Sequence, residues 1–147
     1  MIAVDTNILV YAHRADSPFH LVAFACVRNL AEGTHSWAIP WPCIHEFYAV
    51  ATHRKIYDPP STSQQAISQI NAWFASKSLV MLGESALYWE TLKPQLEAGK
   101  VVGPQAHDAR IAALCIEHQV REFWSADRDF SRYPLLKTTN PLVKVAR

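Results

Sequence analysis

The sequence lacks most of what would take it out of the ordinary globular class. No apolar run approaches the ~20 residues needed to cross a bilayer. No internal repeat, low-complexity stretch or long linker interrupts it, and 147 residues suit one domain, expected to run from 1 to 147. Cysteine is scarce. Cys26, Cys43 and Cys115 are odd in number, match no zinc or redox spacing and lie in apolar segments, so they read as buried free thiols. Nothing after Met1 has the basic leader or small-residue cleavage site of a secretory signal. With the free thiols, that predicts a cytoplasmic protein with no membrane association. Charge of one sign is lacking too: 18% of residues are charged and the net charge is +1, which excludes a disordered polyelectrolyte.

What is present is apolar sequence in short alternating blocks. Half the residues are hydrophobic, and a chain of this length buries roughly 68–70% of its unfolded surface. Residues 2–4, 36–39, 78–82 and 122–125 read as strands, with a short last strand over Leu135–Thr138. Helices are predicted from Pro18 to about Glu32, with a stripe of Leu21, Phe24, Ala25, Val27 and Leu30. Others run from Pro42 to His53, after Ser61 or Thr62, from about Ser85 with Pro94 ending or kinking it, and from Asp108 to about His118. Ser61 with Gln64, or Thr62 with Gln65, resembles a capping box ahead of the Ala66, Ile67, Ile70, Trp73, Phe74 stripe. Residues 99–106 read as a loop. Strands alternating with helices predict an α/β fold, a parallel sheet covered on both faces. In such sheets ligands bind beyond the carboxyl ends of the strands.

Four acids stand at that rim: Asp5 in IAVDTNILVYAH, Glu46 in WPCIHEF, Asp108 in AHDARIAALCIEH and Asp127 in FWSADRDF. Each is embedded in sequence that otherwise reads as core. Asp5 can be read equally as a helix N-cap, and Asp108, in a first turn, as a capping charge. Glu46 shares a helix side with Cys43, Phe47 and Val50, where a solvated charge is out of place; pairing with Arg54 is its other reading. Jointly the four have more force. Carboxylates that meet cannot all stay ionised without a cation, and an oxygen-only set suits a hard divalent ion. The seven histidines are scattered and the cysteines unsuited to zinc. The pattern points to metal-assisted chemistry on phosphate. Setting four of the 13 acids aside leaves nine against 14 basic residues, a body of +5 able to accept a polyanion.

VDTNILVYAH at 4–13, WPCIHEF at 41–47, HDARIAA at 107–113 and WSADRDFSRYP at 124–134, followed by NPL at 140–142, together resemble the PIN-domain family. More closely, they resemble the VapC-type toxin ribonucleases of type II toxin–antitoxin pairs. The resemblance covers almost the whole chain. It implies a three-layer α/β/α fold around a mostly parallel sheet of about five strands. It implies an endoribonuclease with Mg²⁺ or Mn²⁺ in an acidic pocket, hydrolysing phosphodiester bonds to a 5′-phosphate and a 3′-hydroxyl. By position, Asp5, Glu46, Asp108 and Asp127 would be catalytic, holding metal directly or, for Glu46, through water. Asp129 would be a supporting acid, with Asn7 and Ser125 orienting the carboxylates or waters. The resemblance also implies a homodimer and a cognate antitoxin that inserts a segment into the pocket. The loop before Asp108 reads GPQAHD where family members carry Gly-Asn and an apolar residue, a departure that bears on substrate fit.

Arg14, Arg110, Arg128 and Arg132 lie beside these motifs and are candidates for holding an RNA backbone; solvation or pairing with a nearby acid is the other reading of each. Rival functions are weaker. A phosphatase with a nucleophilic Asp would need a second acid where Asn7 stands. A phospho-accepting signalling domain would need paired acids after the first strand and one after a middle strand. A PIN-like nuclease outside a toxin–antitoxin system, acting in RNA processing or on DNA, shares the same acids. A non-catalytic PIN-like module would be expected to have lost one of them.

Overall fold

The computed structural model describes residues 1–143. Five strands form one parallel sheet: β1 (Ile2–Val4), β2 (Trp37–Pro40), β3 (Leu79–Leu82), β4 (Glu122–Trp124) and β5 (Thr138–Thr139), in the order β3-β2-β1-β4-β5. Helices flank it, giving the three-layer α/β/α architecture: α1 (Thr6–His13), α2 (His20–Glu32), α3 (Trp41–Ala51), α4 (Ser63–Phe74), α5 (Tyr88–Ala98) and α6 (Ala106–Glu117). All four residues of β2 are buried, as expected of a strand covered on both faces. The chain builds outward from β1 through β2 to β3. It then crosses to the opposite side of β1 to lay down β4 and β5. The order therefore reverses between β1 and β4, and a crevice opens at the carboxyl ends of those two strands.

Local chemistry explains the element starts. Asp5 caps α1 directly at the end of β1, its Oδ1 accepting from the Thr6 N–H at 2.8 Å. Pro42 in the first turn lets α3 begin as soon as β2 ends. Of the two capping boxes the sequence offered, Thr62 with Gln65 forms: the Gln65 N–H donates to Thr62 Oγ1 at 3.1 Å and the Thr62 N–H to Gln65 Oε1 at 2.9 Å. The core is seeded by aromatic rings. Phe47 meets Trp73 edge-on at 4.8 Å, and Phe123 meets Phe130 at 4.8 Å.

Several sequence expectations are corrected. The α2 stripe holds in part: Val27 is buried and Leu30 packs on the core, but Ala23 faces inward in place of Leu21, which is 81% exposed, and Phe24, which is also exposed. Small residues there let α2 approach α1 closely and leave the bulky ones outside. Cys26 lies beside that stripe and is only part-buried, unlike Cys43 and Cys115. Pro94 does not end α5; it sits inside the helix. Its position and that of Glu90, whose carbonyl loses a helical donor, are both exposed, so water can serve that oxygen. The helix starts at Tyr88 rather than Ser85 because the Ser85 hydroxyl accepts from the Leu87 N–H in a turn. The 99–106 segment is not all loop: Gly103–Gln105 is a 3₁₀ turn leading straight into α6. The last strand is displaced to Thr138–Thr139, because a turn from Tyr133 to Leu136 buries both of those side chains first.

Candidate active site

The crevice at the β1/β4 reversal is where acids collect. Asp5 leaves β1 with its backbone N–H still bonded to the Trp124 carbonyl of β4 at 2.9 Å, so the sheet ladder fixes its position. Asp127 follows β4, Glu46 comes from the middle of α3, and Asp108 from the first turn of α6. All four line one cavity of about 340 Å³, walled on its other sides by Tyr11, Tyr57 and Val50. Asp108, Asp127 and Asp129 form the tightest group: each offers a carboxylate oxygen within 4.8 Å of the others. Asp129 thus lies close to two of the four acids, although it does not line their cavity.

Ser125 is the hub of the hydrogen-bond network beneath. Its hydroxyl donates to Asp5 Oδ2 at 2.7 Å and accepts from the Asp127 N–H at 2.9 Å. Asn7 ties the same two strand ends together, its Nδ2 lying 3.4 Å from both Asp5 Oδ2 and Ser125 Oγ while its Oδ1 accepts from the Ala126 N–H at 3.2 Å. Asp127 Oδ1 accepts from the Asp129 N–H at 2.8 Å, which sets the loop that carries both acids.

Two site groups went unnoticed in the sequence. The buried Thr6 hydroxyl donates to Glu46 Oε2 at 2.7 Å. That bond, rather than Arg54, answers the question of what holds a glutamate in an apolar helix face. The Cys43 thiol donates to Asp5 Oδ1 at 3.7 Å. The reach of Thr6 to α3 is a tertiary contact with no sequence signal. Cys43, one helical turn before Glu46, could have been inferred from that shared face.

Electrostatics follow from the crowding. Burial pushes the Asp5 carboxyl up to about 6, opposed by the bonds from Ser125 and Thr6 and reinforced by Glu46 and Asp108. Asp108 is also pushed up to about 6, by burial first and then by Asp127, Glu46 and Asp129. Two carboxyls from different segments are thus held above the usual carboxylate range, by burial first and by the other acids second.

The PIN domain family model matches residues 2–136. The chain belongs to the PIN domain family. Ribonuclease VapC43 of Mycobacterium tuberculosis is 30% identical to it over 142 residues, covering 97% of this chain and 96% of that protein. Ribonuclease VapC48 of the same species is 26% identical over 137 residues, covering 93% and 94%. Among solved structures, VapBC2 of Rickettsia felis, bound to a DNA fragment from its promoter, superposes with a TM-score of 0.65 at 24% identity, covering 95% of this chain and 98% of that one. The sarcin-ricin-loop-cleaving toxin VapC20 of M. tuberculosis gives a TM-score of 0.65 at 18% identity, covering 89% and 93%. The PIN fold is common to all of them.

PIN domain nucleases generally use a divalent metal, and the residues here fit one. The donors facing the cavity are carboxylate oxygens, the set a hard cation takes. Asp5 and Asp108 are both pushed toward their neutral forms, by burial first and by neighbouring carboxylates second, and a bound cation would favour the ionised forms of both.

The four candidate arginines divide. Arg14 is locked by Asp16 at 2.6 Å, by the Pro59 carbonyl and by stacking over Tyr57. Arg110 pairs with Glu84 at 2.9 Å. Arg132 reaches the Gly99 carbonyl at 3.4 Å. Arg128 is exposed, forms no ion pair or side-chain hydrogen bond among the described residues, and adjoins the acids. A larger cavity, about 820 Å³, lies away from the acids between the end of α1 and α4, with Arg14, Gln65 and Gln69 in its wall. Its one acid, Asp16, is already neutralised by Arg14.

Proposed function

We propose that this chain is an endoribonuclease of the VapC kind, the toxin of a toxin–antitoxin pair, which hydrolyses RNA phosphodiester bonds with the help of Mg²⁺ or Mn²⁺. One observation carries the reading: carboxylates from four separate segments share a cavity at the strand-order reversal of a PIN fold. The relatives named VapC ribonucleases, at 26–30% identity over nearly the whole chain, support the same activity and substrate class.

In this reading Asp5, Asp108 and Asp127 hold the cation, Glu46 completes the site directly or through water, and Asp129 supports Asp127. When bound, such an ion polarises the scissile phosphate and lowers the pKa of water beside it. The protein's own part is positioning. Thr6 N–H and Ser125 Oγ each engage one oxygen of Asp5, fixing the plane of its carboxylate. The Thr6 hydroxyl occupies Glu46 Oε2 and leaves Oε1 for the cavity. Asn7 and Ser125 hold the ends of β1 and β4 at one spacing, so that Asp5 and Asp127 do not drift apart. Arg128 is the arginine best placed to contact RNA. The VapBC2 complex among the structural neighbours supports an antitoxin partner, and a homodimer in the cytoplasm completes the proposal.

The test is RNA cleavage by the purified protein with Mg²⁺, with EDTA, and with Asp5→Asn. Cleavage is expected only from the parent with metal. Full-rate cleavage by Asp5→Asn, or in excess EDTA, would exclude the scheme.

A further inference from the structure

A second cavity of about 620 Å³ opens on the other side of Asp127, between the 3₁₀ turn Arg128–Arg132 and the end of β5. Asp127 lines both this cavity and the acidic one, and Ser125, which positions Asp5, lines this one too. A strand whose phosphate lies against the acids therefore has its next nucleotide at the mouth of this second space.

The lining has the character of a base pocket rather than a backbone groove. Phe130, Tyr133 and Leu136 give an apolar floor. Ser125 and Asp127 are committed to the acidic site, and four other polar groups of the wall retain hydrogen-bonding capacity. Arg128 has no acidic partner among the described residues. Asn140 accepts the Leu142 N–H through Oδ1 at 3.0 Å, which fixes the amide orientation and leaves its Nδ2 hydrogens available. The hydroxyls of Tyr133 and Thr138, both on the wall, are buried without a hydrogen-bond partner among the described residues. Arginine and the amide nitrogen are both donors. A planar ring on an apolar floor, read by donors at its edge, describes an unstacked nucleobase carrying acceptors. Guanine, with O6 and N7 side by side, suits an arginine fork; uracil offers carbonyl oxygens; adenine and cytosine present an amino group where these donors point.

We propose that this cavity receives the base of one of the two nucleotides flanking the scissile phosphate, and selects keto bases, guanine above all. The inference rests on the ribonuclease reading and adds to it the origin of sequence preference.

The experiment is cleavage of a randomised single-stranded RNA pool by the whole protein with Mg²⁺, with the new ends sequenced. It is paired with anisotropy titrations of labelled oligonucleotides that differ only at the flanking base. The parent should favour guanine or uracil over adenine or cytosine at one flanking position by roughly tenfold, the scale of one well-made base contact. Arg128→Gln and Asn140→Ala should each reduce that ratio to about threefold or less, with melting temperatures near the parent's. A parent with no base preference at either flanking position, or variants that keep the full ratio, overturns the inference. A parent that cuts no RNA overturns the ribonuclease reading instead. In that event the titrations decide the pocket: keto-selective binding lost in both variants supports it, and unselective binding sinks it.

Discussion

Removing the charge of Asp5 should stabilise the metal-free protein while destroying its activity. The carboxyl titrates near 6 in the fold against 3.8 for the free group, which at 1.36 kcal/mol per pH unit is about 3 kcal/mol. A raised value means that folding favours the protonated form. Asp5 therefore adds full stability below pH 3.8 and loses it as the pH climbs through about 6. Asn imitates the protonated form at every pH and is as good a helix cap. It gives up some of the bonding from Ser125 and Thr6, at about 1 kcal/mol. Asp5→Asn should therefore be less stable than the parent by about 1 kcal/mol at pH 4 and more stable by about 2 kcal/mol at pH 7.5. For a chain of this length the gain is a rise of about 4–8 °C in melting temperature. The assay is calorimetry of both proteins in EDTA across that range, repeated with Mg²⁺. At a hundredfold excess over its dissociation constant the ion should return about 2.7 kcal/mol to the parent, and much less to the variant. If Asp5→Asn melts no higher than the parent at pH 7.5 without metal, Asp5 is not held under electrostatic stress and the account of the pocket is wrong.

Three other outcomes are expected. Thr6→Val should cut RNA cleavage by about tenfold by freeing Glu46, and pairing it with Glu46→Gln in a double-mutant cycle should show coupling, whereas additive losses would mean that Thr6 acts elsewhere. Thr62→Ala removes half of the α4 capping box far from the acids; thermal melts should show a loss of about 1 kcal/mol, with cleavage unchanged. Phe47→Ala opens a void beneath Trp73, and urea titration should report a loss of about 3–5 kcal/mol.

The convergence of Asp5, Glu46, Asp108 and Asp127 was legible because it follows from topology: strand ends and helix starts of a parallel sheet share one rim. The arginines were legible only in part: the Arg14 partner Asp16 stands two residues on, but nothing local in DAR says that Glu84 will be near Arg110. A local pair sets Arg14 apart from Arg128, and a tertiary one sets Arg110 apart. The same holds for Thr6, whose partner lies 40 residues away. The α2 stripe was legible at Val27 and Leu30 but not at its start, because both faces of the helix carry apolar residues and close approach to α1 selected Ala23 over the larger Leu21 and Phe24. The displacement of β5 has a similar origin: Leu135–Thr138 has strand-like composition, but burial of Tyr133 and Leu136 claimed the chain first.

Asp5 serves two masters, as the residue that launches α1 and as an acid of the cavity. This narrows the routes by which such a domain can fall silent. A lineage that sheds its enzymatic role must still start that helix, and glutamate is too long while alanine starts it poorly. Decayed descendants of this protein should therefore carry Asn or Ser at the fifth position, a mark by which inactive copies can be sorted from working ones in genome surveys.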